Sequence, residues 1–188
     1  MEIDRINLVK KNATLLHDKN TVEQAIKSMA VTISKDYKDK NPIFLVIMNG
    51  GLIFAGKLLP LLDIPAEIDY CHATRYRGET SGGELIWKAT PQTSIEDRHV
   101  VLLDDILDEG YTLKSIVETC EKMGAASVKT AVLIEKEHDR KAVEGMCADY
   151  CELTTPDHYI FGCGMDIDHY WRNTDAIYIY NPEKDIEK

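Results

Sequence analysis

The 188 residues carry 22 Lys and Arg against 32 Asp and Glu, a formal net charge of −10, with 44% hydrophobic residues, 29% charged residues, 11 Gly and 6 Pro. This length suits one domain with one sizeable core, and the composition excludes disordered, collagen-like and low-complexity chains. The acidic balance opposes nonspecific attraction to nucleic acid and to anionic membranes, so neither is an expected partner; a phosphorylated small molecule held by a local site or a metal is compatible with it.

The first forty residues read as helical. Thr21, Val22, Glu23 and Gln24 have capping-box spacing, and Val22, Ala25, Ile26, Met29 and Ile33 recur at helical intervals before Pro42 closes the segment. IFLVIM (residues 43–48) is an uninterrupted apolar run that ends at Asn49, Gly50 and Gly51. Such a run predicts a strand buried on both faces, as in a parallel sheet, followed by a tight turn and a helix over residues 52–62. Asn49, Gly50, Gly51, Lys57 and Pro60 interrupt this stretch too often for a membrane span.

Residues 67–71 form a further candidate strand, residues 74–83 (TRYRGETSGG) a polar mobile loop, and residues 84–89 a returning strand. The clearest unit follows: a strand over residues 99–103, a polar turn over 104–112, a helix over 113–123 ended by Gly124, and a strand over 128–134. This is a βαβ unit, whose ligand site is expected beyond the carboxyl ends of its strands. The last third alternates less cleanly, with short apolar runs at 159–161 and 176–180 that decorate the same sheet.

Five cysteines, Cys71, Cys120, Cys147, Cys151 and Cys163, are irregularly spaced, and the N-terminus has no apolar signal segment. Reduced thiols in a cytoplasmic protein are the expectation. Cys147, Cys151, His158 and Cys163 lack paired CxxC spacing, so buried structural cysteines are favoured over a zinc site.

LDDILDEGYT (residues 103–112) is the most informative segment. Asp104 and Asp105 end a buried strand, Asp108 follows, and Gly110 and Thr112 precede a helix. Backbone amides at a helix start, a glycine that permits close approach and a hydroxyl donor are the ingredients of a phosphate cradle. Carboxylates beside a phosphate repel it unless a cation intervenes, so Mg²⁺ or sugar hydroxyls are natural partners of Asp104 and Asp105. Spacing alone equally describes a solvated acidic turn that caps a helix.

VVLLDDILDEGYTL (residues 100–113) closely resembles the phosphoribosyl pyrophosphate (PRPP) motif of type I phosphoribosyltransferases, in particular their hypoxanthine-guanine branch. The resemblance runs from about residue 43 to 182, with several pieces in the family's order. Met48 to Gly51 is similar to its pyrophosphate loop, Arg75 and Tyr76 to its lid, Lys136 to its purine-reading lysine, and YIFGCGMDIDHYWR (residues 159–172) to its hood. It implies an α/β fold: a central mainly parallel sheet flanked by helices, with a small C-terminal hood. Residues 1–188 would form a single domain, the hood drawn mainly from about residues 150–188 plus N-terminal residues.

Carried over position by position, the resemblance makes Asp108 the acid/base aimed at purine N7. The ribose hydroxyls and metal fall to Asp104 and Asp105, and the 5′-phosphate to the turn Asp108, Glu109, Gly110, Tyr111 and Thr112. Asn49, Gly50 and Arg172 would bind pyrophosphate, with an unusual cis peptide expected at Asn49-Gly50. Arg75 and Tyr76 would form the lid. Lys136, Tyr159, Ile160 and Asp166 would bind the purine: Lys136 donates to O6, Tyr159 stacks, and Ile160 reads the base edge through its backbone. Asp166 would also join Asp104 and Asp105 around Mg²⁺. Three positions depart from the family: Asp104 stands where Glu is usual, Glu109 where Thr or Ser is usual, and Arg75 where Ser is usual. A Glu109 carboxylate cannot usefully bond a dianionic phosphate, so it is expected to point away while its backbone N–H binds.

The implied activity is a purine-salvage transfer of hypoxanthine, and of guanine, to C1 of PRPP, giving the nucleoside 5′-monophosphate and pyrophosphate in a cytoplasmic homodimer or homotetramer. The rivals are a xanthine-guanine transferase on the same scaffold and a regulator that keeps the PRPP fold but binds RNA. The net charge of −10 and the lack of a basic tract argue against the regulator.

Overall fold

The computed structural model describes residues 3–75 and 85–185. A six-stranded sheet is built from β2 (Ile43–Ile47), β3 (Glu67–Arg75), β4 (Leu85–Ala89), β5 (His99–Leu107), β6 (Ser127–Glu137) and β7 (Leu153–Pro156), in the order β4-β3-β2-β5-β6-β7. All neighbours are parallel except β3 and β4. The central mainly parallel sheet is therefore as expected.

Alternation along the buried strands divides the apolar residues between two faces. Phe44 and Val46 of β2, with Val101 and Leu103 of β5, pack under α2 (Lys19–Tyr37) and α3 (Gly51–Leu58). Ile43, Leu45 and Ile47, with Val100 and Leu102, pack against Leu113, Ile116 and Cys120 of α4 (Tyr111–Lys122). Each large apolar side chain fully buried in this way contributes about 1.5–3 kcal/mol. Helix α2 turns Val22, Ala25, Ile26, Met29, Ala30, Ile33 and Tyr37 inward, the periodicity read from the sequence.

The N-terminal stretch is not continuous helix. Helix α1 (Ile3–Asn12) is followed by strand β1 (Thr14–His17), and α2 starts at Lys19 because extended Asp18 accepts the Thr21 amide on its carboxylate at 2.8 Å. The true N-cap thus lies three residues before Thr21, which occupies the N3 position. Strand β1 joins β9 (Ile177–Ile179) and β8 (Ile160–Phe161) in a small antiparallel sheet, order β1-β9-β8, which is the hood. Its own apolar cluster centres on Val9, Phe161 and Ile167, and the Trp171 indole donates to the Ile6 carbonyl at 2.8 Å. Ile160, Cys163, Met165 and Ile177 join the core beneath α2 and α3, tying the hood to the large sheet.

Several elements run beyond their sequence-read limits. β5 continues through Asp104 to Leu107, where a turn was expected, because β6 continues beside it and pairs with Asp104, Ile106 and Leu107. β6 reaches Glu137, so Lys136 lies on the strand, not after it. β3 reaches Arg75, and α4 starts at Tyr111. Helix α3 ends at Leu58, and a 3₁₀ turn over Leu59–Leu61 replaces its last turn around Pro60, which has no amide to donate. The run at 159–161 is strand only over Ile160–Phe161. Cys71, Cys120 and Cys163 are buried as expected, but Cys147 is exposed and Cys151 only partly covered. Among the described residues no helix is long and apolar enough to cross a membrane.

Candidate active site

From β2 the chain passes to β3 on one side of the sheet, whereas β5 lies on the other. The order therefore reverses between β2 and β5, and the crevice at their carboxyl ends is where an open α/β sheet binds its ligand. Two segments meet there: the turn Met48 to Gly51 that starts α3, and the strand end and loop Asp104 to Gly110 that start α4. Packing between them is close enough to demand glycine. A Cβ on Gly50 would overlap the Asp105 carboxylate, and one on Gly164 in the hood would overlap the Gly50 carbonyl and the Asp105 side chain. The non-proline cis peptide is Met48-Asn49, one bond before the expected Asn49-Gly50.

The crevice opens into a cleft of about 1420 Å³ lined by Asn49, Gly50, Asp104, Asp105, Asp108, Glu109, Gly110, Tyr111, Thr112, Lys136, Tyr159, Ile160, Asp166 and Arg172. These are the sequence-nominated residues with the exception of the lid. Arg75 ends β3, and Tyr76 lies outside the described residues. His72 and Lys88 also line the cleft and had not been singled out.

Asp104 and Asp105 line this cleft side by side. Burial, and then the charge of Asp105, holds the Asp104 carboxyl well above the ordinary range. Burial also raises Asp105, although its hydrogen bond with Asp104 and the Arg172 charge pull the other way. Arg172 Nη1 donates to the Gly164 carbonyl at 2.6 Å and lies 3.8 Å from Asp105 Oδ2, while its Nη2 pairs with Asp166 Oδ1 at 2.6 Å. The other Asp166 oxygen accepts the His169 amide at 2.8 Å. One guanidinium therefore bridges a carboxylate of the large sheet and one of the hood.

Asp108 has the opposite surroundings. Lys136 Nζ donates to its Oδ2 and His138 Nε2 faces its Oδ1, both at 2.8 Å. Burial pushes the Asp108 carboxyl up, but hydrogen bonds from Lys136 and His138 outweigh it and leave the group below its ordinary value. Asp108 is therefore a carboxylate at neutral pH. Asp157, just past β7, lies 3.8 Å from Lys136 Nζ and pairs with Arg140 Nη1 at 2.6 Å. Among the described residues, Asp108, His138 and Asp157 are the only His, Cys, Asp or Glu group whose ligand atoms all lie within 4.8 Å of one another. Lys136 and Arg140 already neutralise that trio, whereas Asp104, Asp105 and Asp166 do not gather into such a cage.

The N-cap of α4 is Gly110 in the left-handed region, φ 83°, and this residue supplies no side-chain cap. The positive end of the helix dipole therefore faces the cleft without a capping oxygen in the way. The Glu109 carboxylate is 3.9 Å from Arg140 Nε, and the Glu109 carbonyl accepts the Ala142 amide at 2.7 Å. Tyr159 is 55% exposed at the cleft mouth, its ring edge-on to Tyr180, whereas Ile160 beside it is buried. His138, Arg140 and Asp157 went unnoticed in the sequence. The available signal was strand alternation, which places His138 on the face of Lys136 two residues earlier.

Comparison with known proteins places this geometry. Residues 12–169 match the phosphoribosyl transferase domain model. The Tritrichomonas foetus protein named hypoxanthine-guanine-xanthine phosphoribosyltransferase is 32% identical over 163 residues, covering 87% of this chain and 88% of that protein. The Streptococcus pneumoniae hypoxanthine-guanine phosphoribosyltransferase is 34% identical over 174 residues, covering 92% and 94%. Among solved structures, a hypoxanthine phosphoribosyltransferase from Staphylococcus aureus superposes with a TM-score of 0.87 at 28% identity, covering 97% of both chains.

Proposed function

Because the chain belongs to the phosphoribosyl transferase family, we propose that it is a purine-salvage glycosyltransferase that joins hypoxanthine and guanine to C1 of PRPP, yielding the nucleoside 5′-monophosphate and pyrophosphate. The observation that carries the purine assignment is the Lys136–Asp108 pair on the cleft wall, a donor-only ammonium 2.8 Å from an acceptor-only carboxylate. The O6 and N7–H of a 6-oxopurine present an acceptor beside a donor, the complement of that pair. Adenine presents a 6-amino donor to the lysine and leaves it unpaired.

In this reading Lys136 turns from Asp108 to O6, and Asp108 takes the N7 proton as N9 attacks C1. Asp108 to Thr112 hold the 5′-phosphate at the uncapped start of α4, with Glu109 binding through its amide while Arg140 draws its carboxylate aside. Arg172 exchanges Asp166 for the departing pyrophosphate, whose oxygens suit its planar fork, and Asn49 and Gly50 offer their backbone to the same group. Tyr159 stacks on the base. Such chemistry needs positioning and electrostatics more than covalent help from the protein.

The donor set fits Mg²⁺. Burial pushes both adjacent carboxyls up, and the charge of Asp105 adds to this at Asp104, so a cation is welcome there. They do not form a closed protein cage, as suits an ion that is usually held by one or two carboxylates plus substrate oxygens and water. Asp104, Asp105 and Asp166 would hold the ion, which when bound neutralises charge on the pyrophosphate leaving group.

The reading treats residues 1–188 as one functional domain, at work in the cytoplasm as a homodimer or homotetramer. Exposed Ile68 and Tyr70, on one face of β3, support self-association. The deciding experiment is a steady-state panel of hypoxanthine, guanine, xanthine and adenine with PRPP and Mg²⁺. Hypoxanthine and guanine should turn over and adenine almost not at all; a preference for adenine overturns the assignment. Xanthine belongs in the panel because the Tritrichomonas foetus relative carries it in its name.

A further inference from the structure

We infer that His138 is a positioning residue for Asp108: it fixes the carboxylate through Oδ1, so that Oδ2 alone is presented to Lys136 and, after the lysine turns away, to the purine N7–H. The inference rests on the transferase reading and assigns a part in it to a side chain beyond that reading's substrate contacts.

The hydrogen bonds around the ring set its tautomer. The Arg140 amide donates to His138 Nδ1 at 3.1 Å, so Nδ1 is the acceptor. The ring proton therefore resides on Nε2 and is donated to Asp108 Oδ1 at 2.8 Å. The side chain is only 5% exposed, which leaves little room for reorientation. The two partners of Asp108 differ in what they must do. Lys136 has to leave when a purine enters, because its ammonium is needed at O6. His138 contacts neither base nor phosphate in that arrangement and stays. The histidine thus keeps the carboxylate oriented and ionised after its stronger partner has gone.

The proton balance is simple. The N7–H bond breaks, its electron pair remains in the purine ring, and the proton forms an O–H bond at Asp108 Oδ2. His138 neither gains nor loses a proton, since Nε2 is already a donor and Nδ1 is held by the Arg140 amide. The titratable and charged groups around Asp108 are Lys136 and His138 from β6 and its extension, Asp157 beyond β7, Arg140, and Glu109 from its own loop. Lys136 and His138 both lower the Asp108 carboxyl, and the bond from His138 Nε2 is the one that remains when Lys136 turns away.

Three variants test this through reach. The amide nitrogen of His138→Gln takes the place of Nε2, that of His138→Asn falls nearer Nδ1, and His138→Ala offers no donor. Asp108 is titrated in the unliganded enzyme by carboxyl carbon-13 NMR, its signal assigned by its loss in Asp108→Asn, beside steady-state kinetics at neutral pH. The Asn and Ala variants should raise the Asp108 pKa and lower kcat by about tenfold to a hundredfold, with the KM for PRPP unchanged. The Gln variant should restore both. If all three titrate like the wild type, or if Gln behaves like Ala, His138 is a packing residue and the inference falls. Should the wild type turn over no 6-oxopurine while the NMR shift still appears, the transferase reading fails and the hold of His138 on Asp108 stands.

Discussion

Strand β5 and the loop after it carry two sets of aspartates that face one cleft in opposite electrostatic states. Asp104, half-buried, and Asp105, buried, are adjacent and raised, with Arg172 as the cation near them. Asp108 is 42% exposed on its side chain, bonded by Lys136 and His138, and lowered. The side chain is the same, so the neighbours make the difference. An unneutralised pair is suited to receive a cation from solution, whereas a neutralised carboxylate is suited to remain ionised until a proton arrives.

The largest effect should come from withdrawing the cation. Excess chelator should abolish turnover and added Mg²⁺ should restore it; full activity in chelator would erase the functional contrast between the two sets. Next is the proposed base. Asp108→Asn should lower kcat by about 10²–10⁴ and change PRPP binding little, which single-turnover kinetics and calorimetry can separate. A near-normal kcat would leave Asp108 as a structural anion. Lys136→Ala should come third, raising the KM for 6-oxopurines far more than the KM for PRPP and narrowing the discrimination against adenine. An unchanged purine ranking would return the lysine to a role in neutralising Asp108 alone.

The smallest effect is on stability, and its sign differs between the two sets. For Asp104 and Asp105, raised in the fold, stability is full below the ordinary carboxyl range and is lost as pH rises through their raised values. For Asp108, lowered in the fold, the contribution is present above the ordinary carboxyl value and is lost as pH falls through its lowered one. Asp104→Asn should therefore raise the Tm of the metal-free protein at neutral pH by about 2–4 °C. Asp108→Asn should lower it by less, about 1–2 °C, because water screens that half-exposed pair. Scanning calorimetry at neutral pH checks both signs, and equal shifts in one direction would break the contrast.

The large sheet was legible because its strands are buried on both faces and therefore appear as unbroken apolar runs, as at Phe44 and Val101. The acidic turn was legible because its residue types are unusual at a strand end. Strand limits were less so: Asp104 and Lys136 are polar, and only the parallel partner beside each shows that the ladder continues past the apolar stretch. Strand β1 escaped because TLLH has no alternation of its own and is held by β9, more than 150 residues further along the chain. His138 escaped for a related reason. Flanked by Glu137 and Asp139, it resembles a solvated charge run, and nothing local shows that Asp108 lies against it.

The contact of Gly50, Asp105 and Gly164 has a consequence for how this sequence can drift. Three segments distant in the chain meet at a point where neither glycine has space for a methyl group. A substitution at either one moves the Asp105 carboxylate or the Gly50 backbone and so reaches a candidate anion-binding loop, a candidate metal ligand and the hood together. Compensation from a single neighbouring position is blocked, because the opposing atoms at Gly164 include main chain. These two positions should thus be mutational dead ends in a saturation library, while exposed residues a few ångströms away tolerate most replacements.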